Sequence, residues 1–255
     1  MGWLEKTLVG FDTETTGVDA RNDRIVTAAI ISRAGPDGPL ERRTWLINPG
    51  VEIPASATAI HGITNDRVRA EGVPPTAALD EIARSLTDAL REGFPIVGFN
   101  VAFDLGILEA ELARHGLPTL VTRTGVSSPS GIGPLVDPLV LDRLLDRYRK
   151  GKRKLIDLCA VYSVRVNGND LHAADADVIA TLDLIHAMAH AYPSLSGVTL
   201  PDLHDQQVAA YRTWAQHFRA YLTSKGRTDD LPETDWPLPS SWPTAAEPAE
   251  ASKLW

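Results

Sequence analysis

Cysteine occurs once in 255 residues, at Cys159. A lone cysteine excludes an internal disulfide framework and a Cys-rich zinc site, and it suits a reducing, cytoplasmic setting. Long apolar runs are missing too. The longest, Ile25 to Ile31, is interrupted by Thr27 and falls far short of membrane-spanning length, so no membrane partner is expected. The opening Met-Gly-Trp-Leu-Glu-Lys has no apolar signal core, and Lys6 stands where myristoylation needs Ser or Thr. Positive charge is scarce: 25 Lys plus Arg face 33 Asp plus Glu, a net of −8. Taken alone, that balance argues against a nucleic-acid partner. What is present is ordinary for a globular chain, 44% apolar and 23% charged. This length can bury a full core in one large domain, or in one domain with an appendage.

The charge is unevenly spread. Residues 228–255 hold six acids, one lysine, five prolines and three of the six tryptophans, so five of the eight net negative charges fall there. Proline recurs too often from Leu231 to Pro243 for a regular helix, and the segment reads as an extended Pro/Trp-rich tail. Trp236 and Trp242 are costly to leave exposed, so the tail either wraps its own domain or docks a protein partner. Before it, Val208, Tyr211, Trp214, Ala215, Phe218 and Leu222 recur at helical spacing, which predicts an amphipathic helix over Leu203 to Leu222 packed on the domain.

The first 195 residues alternate strand and helix signals. Strands are predicted at Thr7 to Phe11, Arg24 to Ser32 and Leu40 to Ile47, the last closed by Asn48-Pro49-Gly50. Short links without a helix between them imply an antiparallel meander. Helices follow at Pro75 to Arg91, Asp104 to His115, Pro138 to Tyr148, Leu155 to Tyr162 and Asp175 to Tyr192. Further strands lie at Phe94 to Phe99 and Leu135-Val136. The expectation is an α/β domain over 1–195 with a mixed five-stranded sheet flanked by helices, then a helical segment over 196–227 and the tail over 228–255.

Phe11-Asp12-Thr13-Glu14-Thr15-Thr16-Gly17 sits at the end of the first strand. Asp12 and Glu14 are two apart, so their side chains share one face of a strand. Paired carboxylates repel and raise each other's pKa unless a hard cation neutralises them. A second acid, Asp104, stands in Phe99-Asn100-Val101-Ala102-Phe103-Asp104, where a strand gives way to a helix that it would cap. A third, Asp177, follows His172 in the first turn of a later helix. Five residues of helix would turn them about 140° apart, so His172 is expected before the regular helix.

Asp-x-Glu, then Asp, then His-x-x-x-x-Asp, in this order, resembles the three motifs of the DEDD exonuclease superfamily, histidine subtype. The likeness is to polymerase-associated proofreading subunits and their stand-alone relatives. Phe-Asp-x-Glu-Thr-Thr-Gly alone would arise by chance in about one chain in 10⁵ of this length. The resemblance covers residues 7 to about 190, including Ile60-His61-Gly62-Ile63-Thr64. Where many relatives have His-Asn before the second motif, this chain has Phe99-Asn100, a position that is not a metal ligand in the family.

The resemblance implies a ribonuclease-H-like fold with the first strand central and the second antiparallel to it. It implies two magnesium or manganese ions: Asp12, Glu14 and Asp177 at the first, and Asp12 with Asp104 at the second. His172 would be the general base. Thr15 and Thr16 match positions whose backbone approaches the terminal 3′-hydroxyl, and His61, Ile63 and Phe103 match residues lining the pocket for the last nucleotide. The implied activity is 3′–5′ exonucleolytic release of nucleoside 5′-monophosphates by a stand-alone enzyme. Single-stranded DNA is favoured over RNA, because the first motif and His-Gly-Ile look most like the polymerase-associated branch. A catalytically idle binding module would be expected to lack one of the five motif residues, and all five are present.

Other features read more plainly. Arg143 to Lys154 carries seven bases and one acid, either a solvated helix end or a phosphate-tracking patch. His186 and His190, with Asp183 nearby, have zinc spacing but no evident third ligand. Asp137 before Pro138 reads as a helix cap, and Cys159 as core. Apart from the tail and the four motif acids, the chain is +1. Its acidic total is therefore compatible with a nucleic-acid substrate whose phosphates are attracted locally and through metal.

Overall fold

β1 (Thr7–Thr15) is buried on both faces from Leu8 to Phe11, and that burial puts it at the centre of a five-stranded sheet. In this computed structural model, which describes residues 2–166, 173–229 and 231–242, the strand order is β3-β2-β1-β4-β5. β2 (Ile25–Ala34) and β3 (Leu40–Leu46) form the expected antiparallel meander on one side of β1. Two short strands, β4 (Ile96–Val97) and β5 (Leu135–Val136), run parallel to β1 on the other. This is the ribonuclease-H-like arrangement, with β1 central.

Between β3 and β4 lie α1 (Ala55–His61), α2 (Asn65–Glu71) and α3 (Pro75–Arg91). The first two were not expected. At seven residues each they are too short for a helical apolar stripe to declare itself. α4 (Val101–Arg114) links β4 towards α5 (Leu120–Thr124), and α6 (Pro138–Leu145) and α7 (Leu155–Val161) follow β5. α8 (Ala174–Ala191) lies on β1 and β2, and α9 (Leu200–Ser224) packs against α6 and β5. None of the described helices is long and apolar enough to cross a membrane.

The two faces of β1 serve two cores. Val9 and Phe11 join the core shared with α3 and α4, whereas Leu8 joins the core under α8. Gly10 lies on the α8 face, and a Cβ there would overlap Val178 Cγ1 and crowd Leu182. Its missing side chain is what lets α8 descend onto the strand.

The described part of the tail, residues 231–242, packs on its own domain. Arg219 donates to the Pro232 carbonyl (2.8 Å), the Trp236 ring lies 5.3 Å from that of His204, and Leu238 and Trp242 cover Gly106 of α4. Trp236 is 1% exposed and Trp242 9%. Of the readings the sequence left open for these two rings, the described residues show self-wrapping: both rings are packed within the chain. The third tail tryptophan, Trp255, lies outside the described residues.

Candidate active site

Alternation along β1 points Asp12 and Glu14 to the α8 face, with small cross-strand neighbours, Ala29 and Thr27, that leave room beside them. Asp177, in the first turn of α8, arrives on the same face because Gly10 admits the helix. One carboxylate oxygen from each of Asp12, Glu14 and Asp177 lies within 4.8 Å of the others. Three hard oxygen donors at that separation form a set suited to a divalent cation such as magnesium or manganese.

Asp104 reaches the cluster from the opposite face. It was expected to cap its helix, but α4 begins three residues earlier, at Val101. The Asp104 carboxylate is free of capping and accepts from Thr13, through the backbone N–H (3.0 Å) and the hydroxyl (2.6 Å). Thr13 is the residue between Asp12 and Glu14, so one strand presents two carboxylates on one side and anchors a third on the other.

The helix start is held instead by Asp137, which follows β5. Its carboxylate accepts from Asn100 N (3.1 Å) and Val101 N (3.1 Å), and it also caps α6 through Leu139 N (2.9 Å). Asn100 sits at a φ of 61°, a left-handed conformation that asparagine tolerates. Gln207 of α9 completes the support, accepting from Asp137 N (2.7 Å) and donating to the Leu135 carbonyl (2.9 Å). Asp137 was legible as a cap for its own helix. Its second task and the buried Gln207 were not, because both depend on segments distant in sequence.

The electrostatics are those of acids crowded without neutralisation. Burial, then the charges of Asp104, Asp177 and Glu14, raise Asp12 well above the usual carboxylate range. Burial and the charges of Asp177 and Asp104 push Glu14 up to about 8. Burial lifts Asp104 to about 7 against the opposing hydrogen bonds from Thr13. A divalent ion removes this repulsion, so the donor set and its charge both fit one.

The remaining expected site residues are distributed as follows. His61 and Ile63 line a pocket of about 250 Å³ together with Trp45, Asp175, Thr27 and Ala29, the last two being the cross-strand neighbours of Glu14 and Asp12. Ile63 N–H donates to His61 Nδ1 (3.1 Å), which leaves the ring proton on Nε2, and burial lowers the His61 pKa. Phe103 is half-buried on α4 beside Asp104. Thr15 donates its hydroxyl to the Gly17 carbonyl (2.6 Å). Thr16 spends its hydroxyl on Asp23 (2.9 Å) and its N–H on the Arg24 carbonyl (2.9 Å), so neither donor is left for a substrate. His172 lies outside the described residues.

The basic run is divided. Asp142, fully buried, accepts from Arg149 Nη2 (2.9 Å), Arg153 and the Tyr162 hydroxyl (2.9 Å). This turns the chain back after Leu145 and ends α6 short of the predicted Tyr148. Arg149 and Arg153 are therefore internal counter-charges, and substituting them would loosen the loop as well as remove charge. Asp183 is likewise occupied, by Arg33 (2.6 Å), and among the described residues no metal-ligating group forms around His186 and His190.

Comparison with known proteins agrees with this geometry. The chain is 30% identical over 200 residues to the PolC-type DNA polymerase III of Lacticaseibacillus paracasei, and 31% over 201 residues to that of Streptococcus pneumoniae. Each match covers 78% of this chain but 12% of the polymerase, so the chain spans about an eighth of the length of these relatives. Its fold is similar to that of Escherichia coli exonuclease I, whose structure was solved with a dT13 oligonucleotide. That likeness has a TM-score of 0.59 at 22% identity, covering 74% of this chain and 42% of the other. Residues 9–185, which contain β1 from Val9 onward, the helix of Asp104 and the first turns of α8, match the RNase T exonuclease model. The convergence of the Asp12, Glu14 and Asp177 carboxylates within that span has its explanation in descent: the chain belongs to the exonuclease family, whose DEDD 3′–5′ members its motifs resemble.

Proposed function

We propose that this protein removes nucleotides one at a time from the 3′ end of single-stranded or frayed DNA, releasing nucleoside 5′-monophosphates. The observation that carries the reading is the approach of Asp12, Glu14 and Asp177 to within 4.8 Å, with Asp104 anchored beside them by Thr13. DNA is favoured because the relatives it matches are DNA polymerases and the similar exonuclease I was solved with an oligodeoxynucleotide.

Asp12, Glu14 and Asp177 would hold one divalent ion, and Asp12 with Asp104 a second, magnesium or manganese in each case. When bound, such ions supply positive charge to the entering and leaving oxygens of an in-line displacement at phosphorus. The chain's own residues do the rest. His172 takes the proton of the attacking water, a role suited to an imidazole that titrates near neutrality. The water oxygen bonds to phosphorus, and the bond from phosphorus to the 3′-oxygen of the preceding nucleotide breaks. That oxygen takes a proton from solvent, leaving a 3′-hydroxyl on the shortened strand. The pocket of His61, Ile63 and Trp45, with Phe103 nearby, would receive the terminal nucleotide by ring and aliphatic contacts that accept any base.

The test is a side-by-side digestion in magnesium of 3′-labelled single-stranded DNA, a mismatched primer–template and short RNA. Fastest release from the two DNA substrates is expected. Preference for RNA would move the assignment to the RNA-trimming members of the family, and no release from any of the three would overturn it.

A further inference from the structure

Away from the carboxylates, a groove of about 860 Å³ runs between α6 and α9. Arg143 and Arg147 line its α6 side, and Trp214, His217 and Phe218 its α9 side. Three features define what it can take.

The first is a guanidinium stacked on an aromatic ring, with the carboxylates of Asp137 and Asp142 acting on it through space. Arg143 lies with its guanidinium carbon 3.7 Å above the Trp214 ring, and among the described residues no hydrogen bond or ion pair occupies its N–H groups. Arg149 and Arg153, from the same basic run, are neutralised by Asp142. The groove thus presents Arg143 and Arg147, the latter 3.4 Å from His217 Nδ1, neither of them in a salt bridge among the described residues. The second is a row of rings. Tyr211, Trp214, Phe218 and Tyr221 follow one another along α9 with centroids 5.4, 5.4 and 6.3 Å apart, and Phe218 and Tyr221 are 38% and 56% exposed. The row runs ten residue steps from Tyr211 to Tyr221, about 15 Å of helix. The third is continuity. α6 starts at Asp137, which also holds the start of the helix bearing Asp104, and Arg143 stands about 9 Å further along α6 at 1.5 Å per residue.

We propose that this groove carries the single strand upstream of the nucleotide being cut, with Arg143 and Arg147 on its phosphates and the α9 rings under its bases. The inference rests on the exonuclease reading above. Guanidinium groups beside exposed rings are the two components of sequence-independent single-strand binding. An acidic peptide would satisfy the cations, but a row of rings about 15 Å long suits successive bases better than one anchoring side chain.

The test compares a strand of about twenty thymidines with the p-nitrophenyl ester of thymidine 5′-monophosphate, which is too small to reach the groove. Arg143→Gln is expected to raise KM for the strand about tenfold, with ester hydrolysis unchanged within about twofold. The Phe218→Ala/Tyr221→Ala double variant removes exposed rings only, so its fold is safe, and the same split is expected. Strand KM values equal to wild type in both variants, with wild-type digestion intact, overturn the groove. So does a Glu/Phe peptide that binds wild type and not Arg143→Gln while strand KM stays unchanged. If wild type hydrolyses neither substrate in magnesium or manganese, the exonuclease reading fails on its own. The groove is then judged by fluorescence anisotropy of labelled dT20 in chelator: about tenfold weaker binding by the double variant sustains it, and equal binding overturns it.

Discussion

Thr13 donates twice to one oxygen of Asp104, from its backbone at 3.0 Å and from its hydroxyl at 2.6 Å, across 91 residues of sequence. Thr13 faces away from the Asp12 and Glu14 side of β1, so this pair of bonds ties the α4 face of the sheet to the carboxylates on the α8 face. Thr13→Val keeps the backbone bond and the shape but removes the hydroxyl. A buried acid deprived of one donor costs about 1–3 kcal/mol. The expected result is a lower Tm and a weaker second metal-binding event in calorimetry, with the first event close to wild type.

Asp12 should exchange stability for function. Its carboxylate is buried beside three other acids, so Asp12→Asn relieves repulsion in the metal-free protein and should raise its Tm. The same change should lower magnesium-dependent nucleotide release by about 10²-fold or more, as loss of a principal electrostatic group does. Wild-type activity in the purified variant would remove Asp12 from the metal set.

The metal-free protein should lose stability as pH rises. Glu14 is held near pH 8 in the fold and titrates near 4.5 when unfolded, so between those values the folded state binds more protons. Stability is then fully present below about pH 4.5 and declines towards pH 8. Thermal melts in chelator from pH 5 to 8.5 should show a falling contribution from this group. Added magnesium should raise Tm more at pH 8 than at pH 5.5, because its ligands must ionise to bind it. Equal magnesium effects at the two pH values would contradict the raised carboxyl pKa.

Gly10→Val should separate α8 from β1, since even a Cβ at that position overlaps Val178. Overpacking of this kind costs about 1–3 kcal/mol. Because α8 carries Asp177, divalent-ion affinity should fall along with Tm. Conversely, Val178→Ala in the Gly10→Ala background should recover part of both, which tests the contact directly.

His172→Ala should slow nucleotide release by about 10²- to 10⁴-fold, the usual loss for a general base, with metal affinity retained. A loss well under tenfold would remove His172 from that role.

Much of this protein is legible in the order of its residues. A period of two places Asp12 and Glu14 on one face whatever the rest of the chain does, because alternation is a property of the strand itself. The meander, the long helices α3 and α8 and the capping role of Asp137 are local in the same sense. What tertiary structure decided are matters of contact between distant segments. Asp104 is legible as a motif acid at a helix start, but that Thr13 of β1 anchors its carboxylate is not. Arg149 and Arg153 read as either a solvated helix end or a phosphate patch until Asp142 neutralises them. Trp236 and Trp242 read as needing cover, from their own domain or a partner, and α4 and α9 supply it. In each case side-chain chemistry states what a residue needs, whether a donor, a counter-charge or shelter from water, and only the packed fold determines which group supplies it.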